Sequence, residues 1–213
     1  MPYRTGARVA LALGCALVSA LLYLLPNRFG PPPIELPMTA LDRAIPFWPA
    51  SAWTYAAVYL LLPWTFFGIA SFTRLVALAK ALVFTQAVAA LAFTIVPIAY
   101  PRGDFPIPPD TRPLDRAVAQ FLRDIDLPVN CLPSLHVTTV LLCLAAFDEG
   151  RLRRQRPLAI ALALATVAST LSFKQHYVVD LVAGAALGAG AWALFLRRAP
   201  AAAPHGDASP RLR

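Results

Sequence analysis

The run "YVVDLVAGAALGAGAWALFL", residues 177–196, decides the fold. Twenty consecutive residues carry one charge, Asp180, close to their start. A helix of that length rises about 30 Å, which matches the hydrocarbon thickness of a bilayer. The small residues "AGAALGAG" (183–190) favour close packing against a neighbouring helix.

Five further apolar runs lie upstream, at about Val9–Leu25, Ala50–Ala70, Leu75–Ile98, Ser134–Phe147 and Leu158–Phe173. Only "SFTR" (71–74) separates the second from the third. Of the 213 residues 58% are hydrophobic and 14% charged. A soluble domain carries about a quarter charged residues, so the chain is expected to be an integral membrane protein. "ALGC" (12–15) has the look of a lipoprotein cleavage box, but the apolar run continues to Leu25, so an uncleaved first span is expected. The expected fold is all-α: a polytopic bundle of about six transmembrane helices. Residues 1–198 form one membrane domain, and "APAAAPHGDASPRLR" (199–213) a disordered cytoplasmic tail.

Charge orients the bundle. With the N-terminus inside, the inner segments hold 12 of the 19 basic residues and 3 of the 11 acids; the outer segments hold the rest. Basic residues mark the cytoplasmic side, so both termini are expected there. A bacterial inner membrane with the opposite face toward the periplasm fits this pattern. The net charge of +8 lies between apolar runs rather than on a stripe with interleaved aromatics, which speaks against nucleic acid as a partner. Cys15, Cys131 and Cys143 suggest no disulfide framework.

Two outer loops are long. Pro26–Pro49 is proline-rich, and Trp48, Trp53 and Tyr55 follow at a depth suited to an interfacial anchor. Tyr100–Pro133 mixes Arg102, Arg112, Arg116 and Arg123 with five aspartates and reads as a solvated loop.

Chemistry gathers at the outer ends of the spans. In "NCLPSLHV" (130–137), Ser134 suits an N-cap and His136 opens the fourth span. The first N–H groups of that helix favour a phosphate. In "STLSFKQHYVVD" (169–180), His176 and Asp180 stand four apart and share a face if helical. A carboxylate accepting one ring N–H leaves the other nitrogen free as nucleophile or base. Lys174 offers a mobile cation for an anionic oxygen. Ionisable groups at such depth are costly and usually functional. Two histidines and a carboxylate could also hold iron or zinc. That reading is set aside because cations already stand in the metal's place, so neither metal nor cofactor is expected.

"CLPSLHV" (131–137) and "STLSFKQHYVVD" resemble the second and third motifs of the phosphatidic acid phosphatase type 2 superfamily. The Pro-Ser-Leu-His form, the "KQHYVVD" style and "LDRAIPFWP" (41–49) look most like its branch of inositol phosphorylceramide and sphingomyelin synthases. The resemblance spans about Leu41 to Gly184. It implies metal-independent phosphoryl or phospho-headgroup transfer from a lipid phosphate or phospholipid. His176 would attack phosphorus, Asp180 would orient it, and His136 would protonate the leaving oxygen. The acceptor is water for a phosphatase or an alcohol for a transferase.

The chain departs from the family pattern in three places. Leu135 replaces a glycine, Thr170 replaces the arginine of the third motif, and the first motif is not intact. "RP" occurs at Arg112–Pro113, preceded seven residues earlier by Phe105 rather than lysine, and Arg102 is a rival anion ligand. Ser134, Lys174, Arg112 and Arg102 are thus the expected substrate-binding residues. The rival reading is a non-catalytic transporter or lipid-binding scaffold. No feature of the sequence fixes an oligomeric state.

Overall fold

A computed structural model describes residues 2–148 and 150–200. Residues 201–213, most of the expected tail, lie outside the described residues, as does Glu149. Helices dominate, and six of them fall where the sequence placed the spans: α1 (Pro2–Phe29), α4 (Val58–Gly68), α5 (Phe72–Ile95), α7 (Leu135–Ala145), α8 (Gly150–Ser172) and α9 (Val178–Ala191). Three stretches are long and apolar enough to cross a membrane: Thr5–Phe29, Phe72–Ile95 and Val178–Leu196. The last is α9 continued by a π-helical turn, Trp192–Leu196.

The other three fall short for local reasons. The second expected span is broken into a 3-10 turn (Pro49–Ser51), α3 (Ala52–Tyr55) and α4. The fourth stops after 11 residues, α7. The fifth begins with Arg151, Arg153, Arg154 and Arg156, so α8 is apolar only over its second half.

Capping sets the boundaries. The Ser71 side chain accepts the Arg74 N–H at 3.3 Å and starts α5 directly after the turn at Ile69–Ala70. The Arg8 guanidinium donates to the carbonyls of Ile69 and Ala70, at 2.6 and 2.8 Å, and so pins the start of α1 to that turn. Arg74, itself buried, bonds the Ala145 carbonyl at 2.9 Å, the Asp148 carboxylate at 2.6 Å and the Ala199 carbonyl at 3.4 Å. The starts of α1 and α5 and the ends of α4, α7 and α9 therefore gather at one end of the bundle. A core of Leu61, Leu75, Leu78, Leu142, Phe147 and Leu152 lies beneath them.

At the opposite end the loops are structured, which corrects two expectations. Ile34–Glu35 (β1) pairs in parallel with Ile98–Ala99 (β2), a two-residue ladder inside an otherwise helical chain. The segment read as a solvated loop contains α6 (Pro113–Ile125). Its Ala119 and Leu122 pack against Ala52, Tyr55 and Phe173, while Leu114, Phe121 and Ile125 stay exposed. Such an apolar outer face suits the bilayer surface.

The glycines of the last span act as the sequence implied. A Cβ at Gly184 would run into the Ser134 carbonyl, and one at Gly188 would touch Thr138. The Thr138 hydroxyl donates to the Gly184 carbonyl at 2.9 Å. α7 and α9 are thus locked together with Ser134 and Asp180 at their adjoining ends, where the Ser134 N–H donates to the Asp180 carbonyl at 3.0 Å.

Candidate active site

The site is built where α8 gives way to α9. α8 ends at Ser172, and the Thr170 carbonyl accepts the N–H groups of both Gln175 and His176, at 3.0 and 3.2 Å. Lys174 takes φ +58°, the left-handed conformation that commonly ends a helix. His176 therefore precedes α9 rather than riding on it. Its meeting with Asp180 comes from the cap: the Asp180 carboxylate accepts the Tyr177 N–H at 2.9 Å and reaches back to His176 Nδ1 at 3.2 Å. The Cys131 carbonyl lies 3.0 Å from the same nitrogen. Two acceptors on Nδ1 place the proton there and leave Nε2 with a free lone pair. Asp180 is wholly buried, so its charge acts in a low-dielectric setting.

His136 enters from α7, whose N-cap is Ser134; that hydroxyl accepts the Val137 N–H at 3.5 Å. The His136 ring stacks on Tyr55, centroids 4.0 Å apart and 29° between planes. Its centroid lies 6.1 Å from that of His176, edge to face. His136 Nε2 is buried and has no hydrogen-bond partner. Both histidines line a narrow cavity of about 20 Å³, room for roughly one water molecule. Tyr23, Tyr55, Asp126 and Gln175 complete much of its wall.

The remaining expected ligands are spread more widely. Ser134 is fully buried beneath α9. Arg112 is exposed at the N-cap of α6 and does not line the cavity. The Lys174 ammonium donates to the carbonyls of Asp42 and Ile45, at 2.8 and 2.5 Å, and lies 4.8 Å from the Phe105 ring centroid. These carbonyls belong to α2 (Ala40–Ala44) and its C-cap. Since α8 stops two residues earlier, Lys174 does not share a helical face with Thr170. α2 is held from its other side as well, because the Asp42 carboxylate accepts the Val178 N–H at 2.8 Å.

Arg102 is buried and donates to the Asp126 carbonyl, while its Nη1 has no partner. Arg123, on α6, bonds the Phe105 carbonyl at 3.0 Å and stacks over Phe47 at 4.6 Å, with Nε and Nη2 left without partners. Burial lowers the Arg102 pKa, against the pull of Asp126. Burial, and then the Arg102 charge, bring Arg123 down to about 10. Two like charges side by side with spare N–H groups are the electrostatic complement of an anion. Arg123 was treated in sequence as one loop charge among several. The signal that could have found it is the apolar spacing Leu114, Val118, Phe121, Ile125, which marks a helix with Arg123 on its inner side.

Cys131, His176 and Asp180 bring three possible metal donors within 4.8 Å of one another. The histidine atom involved is Nδ1, already shared by two oxygens, and the Cys131 thiol faces the carbonyls of Pro128 and Gln175, at 3.5 and 3.6 Å. A metal there would compete with the His176–Asp180 contact.

Residues 33–194 match the family model of the PAP2 superfamily. The chain belongs to the PAP2 superfamily. Neither a curated protein nor a solved structure matches it. Membership marks a membrane protein of phosphatase or phosphotransferase type acting on lipid phosphates, and the matched segment contains both histidines, Asp180 and all four loop arginines.

Proposed function

We propose that this protein is a metal-independent lipid phosphatase or phospho-headgroup transferase that works through a phosphohistidine. The observation that carries the reading is the His176 ring: Nδ1 is held by Asp180, and Nε2 is left free across a narrow cavity from a second, unpartnered histidine. In the first half-reaction Nε2 attacks phosphorus, the P–O bond to the lipid alcohol breaks, and His136 gives its proton to the departing oxygen. In the second half, neutral His136 takes a proton from water or an alcohol, whose oxygen displaces His176 from phosphorus. Asp180 orients His176 and stabilises the positive ring formed on phosphorylation. The guanidinium groups of Arg102 and Arg123 meet the charge on the phosphoryl oxygens. Membership of the inositol phosphorylceramide and sphingomyelin synthase-like branch rests on "PSLH", "KQHYVVD" and "LDRAIPFWP".

The bundle has six membrane crossings in this reading, both ends lie in the cytoplasm, and the cavity faces the outer side, the periplasm of a bacterium. Purified protein in nanodiscs, incubated with a panel of lipid phosphates with and without alcohol acceptors, tests the function. An acid-labile, alkali-stable phospho-enzyme that persists with a chelator and disappears in His176→Ala supports it. Turnover that a chelator removes and zinc or iron restores would replace it with a metal mechanism.

A further inference from the structure

The cavity contains a carboxylate that the two-histidine scheme does not use. Asp126 is the one acid among its lining residues, and both of its oxygens are held. The Tyr23 hydroxyl, from α1, donates to Oδ1, and the Tyr55 hydroxyl, from α3, donates to Oδ2 at 2.5 Å. Two neutral donors favour the ionised carboxylate. Tyr55 is the ring on which His136 stacks, and Tyr59 of α4 approaches His136 edge-on with centroids 6.3 Å apart. Three tyrosines thus surround a carboxylate and a histidine whose Nε2 has no partner.

A general acid must carry its proton when substrate arrives, and a buried imidazolium is costly without a counter-charge. Of the carboxylates near the two rings, Asp180 is taken by His176 Nδ1 and the Tyr177 N–H. Arg102 and Arg123 have the wrong sign, and the tyrosines are neutral. We infer that Asp126 is the positioning residue for His136, an ionised partner that holds the leaving-group acid in its protonated, correctly aimed form. The site then contains two histidine–aspartate pairs with opposite tasks. Asp180 aims the nucleophile, and Asp126 charges the acid. Asp126 neither gains nor loses a proton; in the step it supports, the proton passes from His136 to the leaving oxygen as the P–O bond breaks.

This inference rests on the phosphohistidine reading, and the test separates the two. An acid is needed for an alkyl leaving group and hardly at all for p-nitrophenolate. Purified Asp126→Asn, close to the wild type in shape, should hydrolyse dioctanoyl phosphatidate about 10–100-fold more slowly while staying within about threefold of wild type on p-nitrophenyl phosphate. His136→Asn should show the same selectivity, and the double variant should be no slower than His136→Asn alone. Asp126→Glu, which keeps the charge, should recover part of the loss. If Asp126→Asn is not monodisperse on size exclusion, Asp126→Ser supplies the same comparison. Equal losses on the two esters, or additive losses in the double variant, overturn the inference and leave the phosphohistidine reading standing. A wild-type protein that turns over neither ester and forms no phospho-enzyme overturns both.

Discussion

At the scale of the residue, the same side-chain types divide into those aimed at chemistry and those that hold the frame. His176 and Asp180 are four apart, and the sequence anticipated their pairing, but for a different reason. The expected helical face is absent at His176, and the pair forms because Asp180 caps α9 and reaches back. Replacing Asp180 by asparagine keeps an acceptor for the Tyr177 N–H but removes the charge facing the ring. We expect turnover to fall by about 10²-fold or more, with the fold intact by size exclusion and melting. Lys174 shows the limit of spacing arguments. Four residues from Thr170 in sequence, it lies beyond the end of α8 with its ammonium on two carbonyls of the α2 segment. Lys174→Met retains the apolar stem and deletes both charged donors, so it should lower stability by about 2 kcal/mol or more in a thermal or chemical melt. A Lys174→Met protein that melts like wild type yet loses turnover would instead assign the lysine to the phosphate. The linear sequence could not show this, because the partners, Asp42 and Ile45, are about 130 positions away.

At the scale of the element, what was legible follows from local physics. Long apolar runs gave the helices, Ser71 and Ser134 gave their starts, and the small residues of "AGAALGAG" gave a close contact. What was not legible depended on partners. The break before α4 and the β1–β2 pairing are set by loops packing on one another, and α6 was hidden among charges that looked merely solvated. The α7–α9 contact offers a sharp test. At Gly184 an added Cβ meets the Ser134 backbone, whereas Gly190 has nothing within 4 Å. Backbone atoms cannot yield as a flexible side chain would, so Gly184→Val should separate α7 from α9 and move His136 away from His176. A stability loss of about 1–3 kcal/mol, the range found for overpacking, should accompany a fall in turnover. Gly190→Ala should change neither, measured by the same melt and the same assay.

At the scale of the whole molecule, charge and geometry converge on one orientation. The segments read from charge as inner are those that Arg8 and Arg74 draw together: the starts of α1 and α5, the turn after α4, and the chain beyond α7 and α9. The histidine cavity, the β1–β2 pairing and α6 occupy the other end. A bundle polarised in this way fits a membrane in one sense only if basic residues stay on the cytoplasmic side. The native cysteines do not confuse the measurement, since Cys15, Cys131 and Cys143 are all buried. Ala117→Cys, exposed on α6, should react with a membrane-impermeant maleimide added to intact cells, whereas Arg153→Cys, exposed near the start of α8, should react only after permeabilisation. The reverse pattern would turn the catalytic cavity toward the cytoplasm. It would also leave the twelve basic residues of the inner segments on the side where such residues are normally scarce, so the arginine-rich start of α8 would then need a partner in the outer compartment.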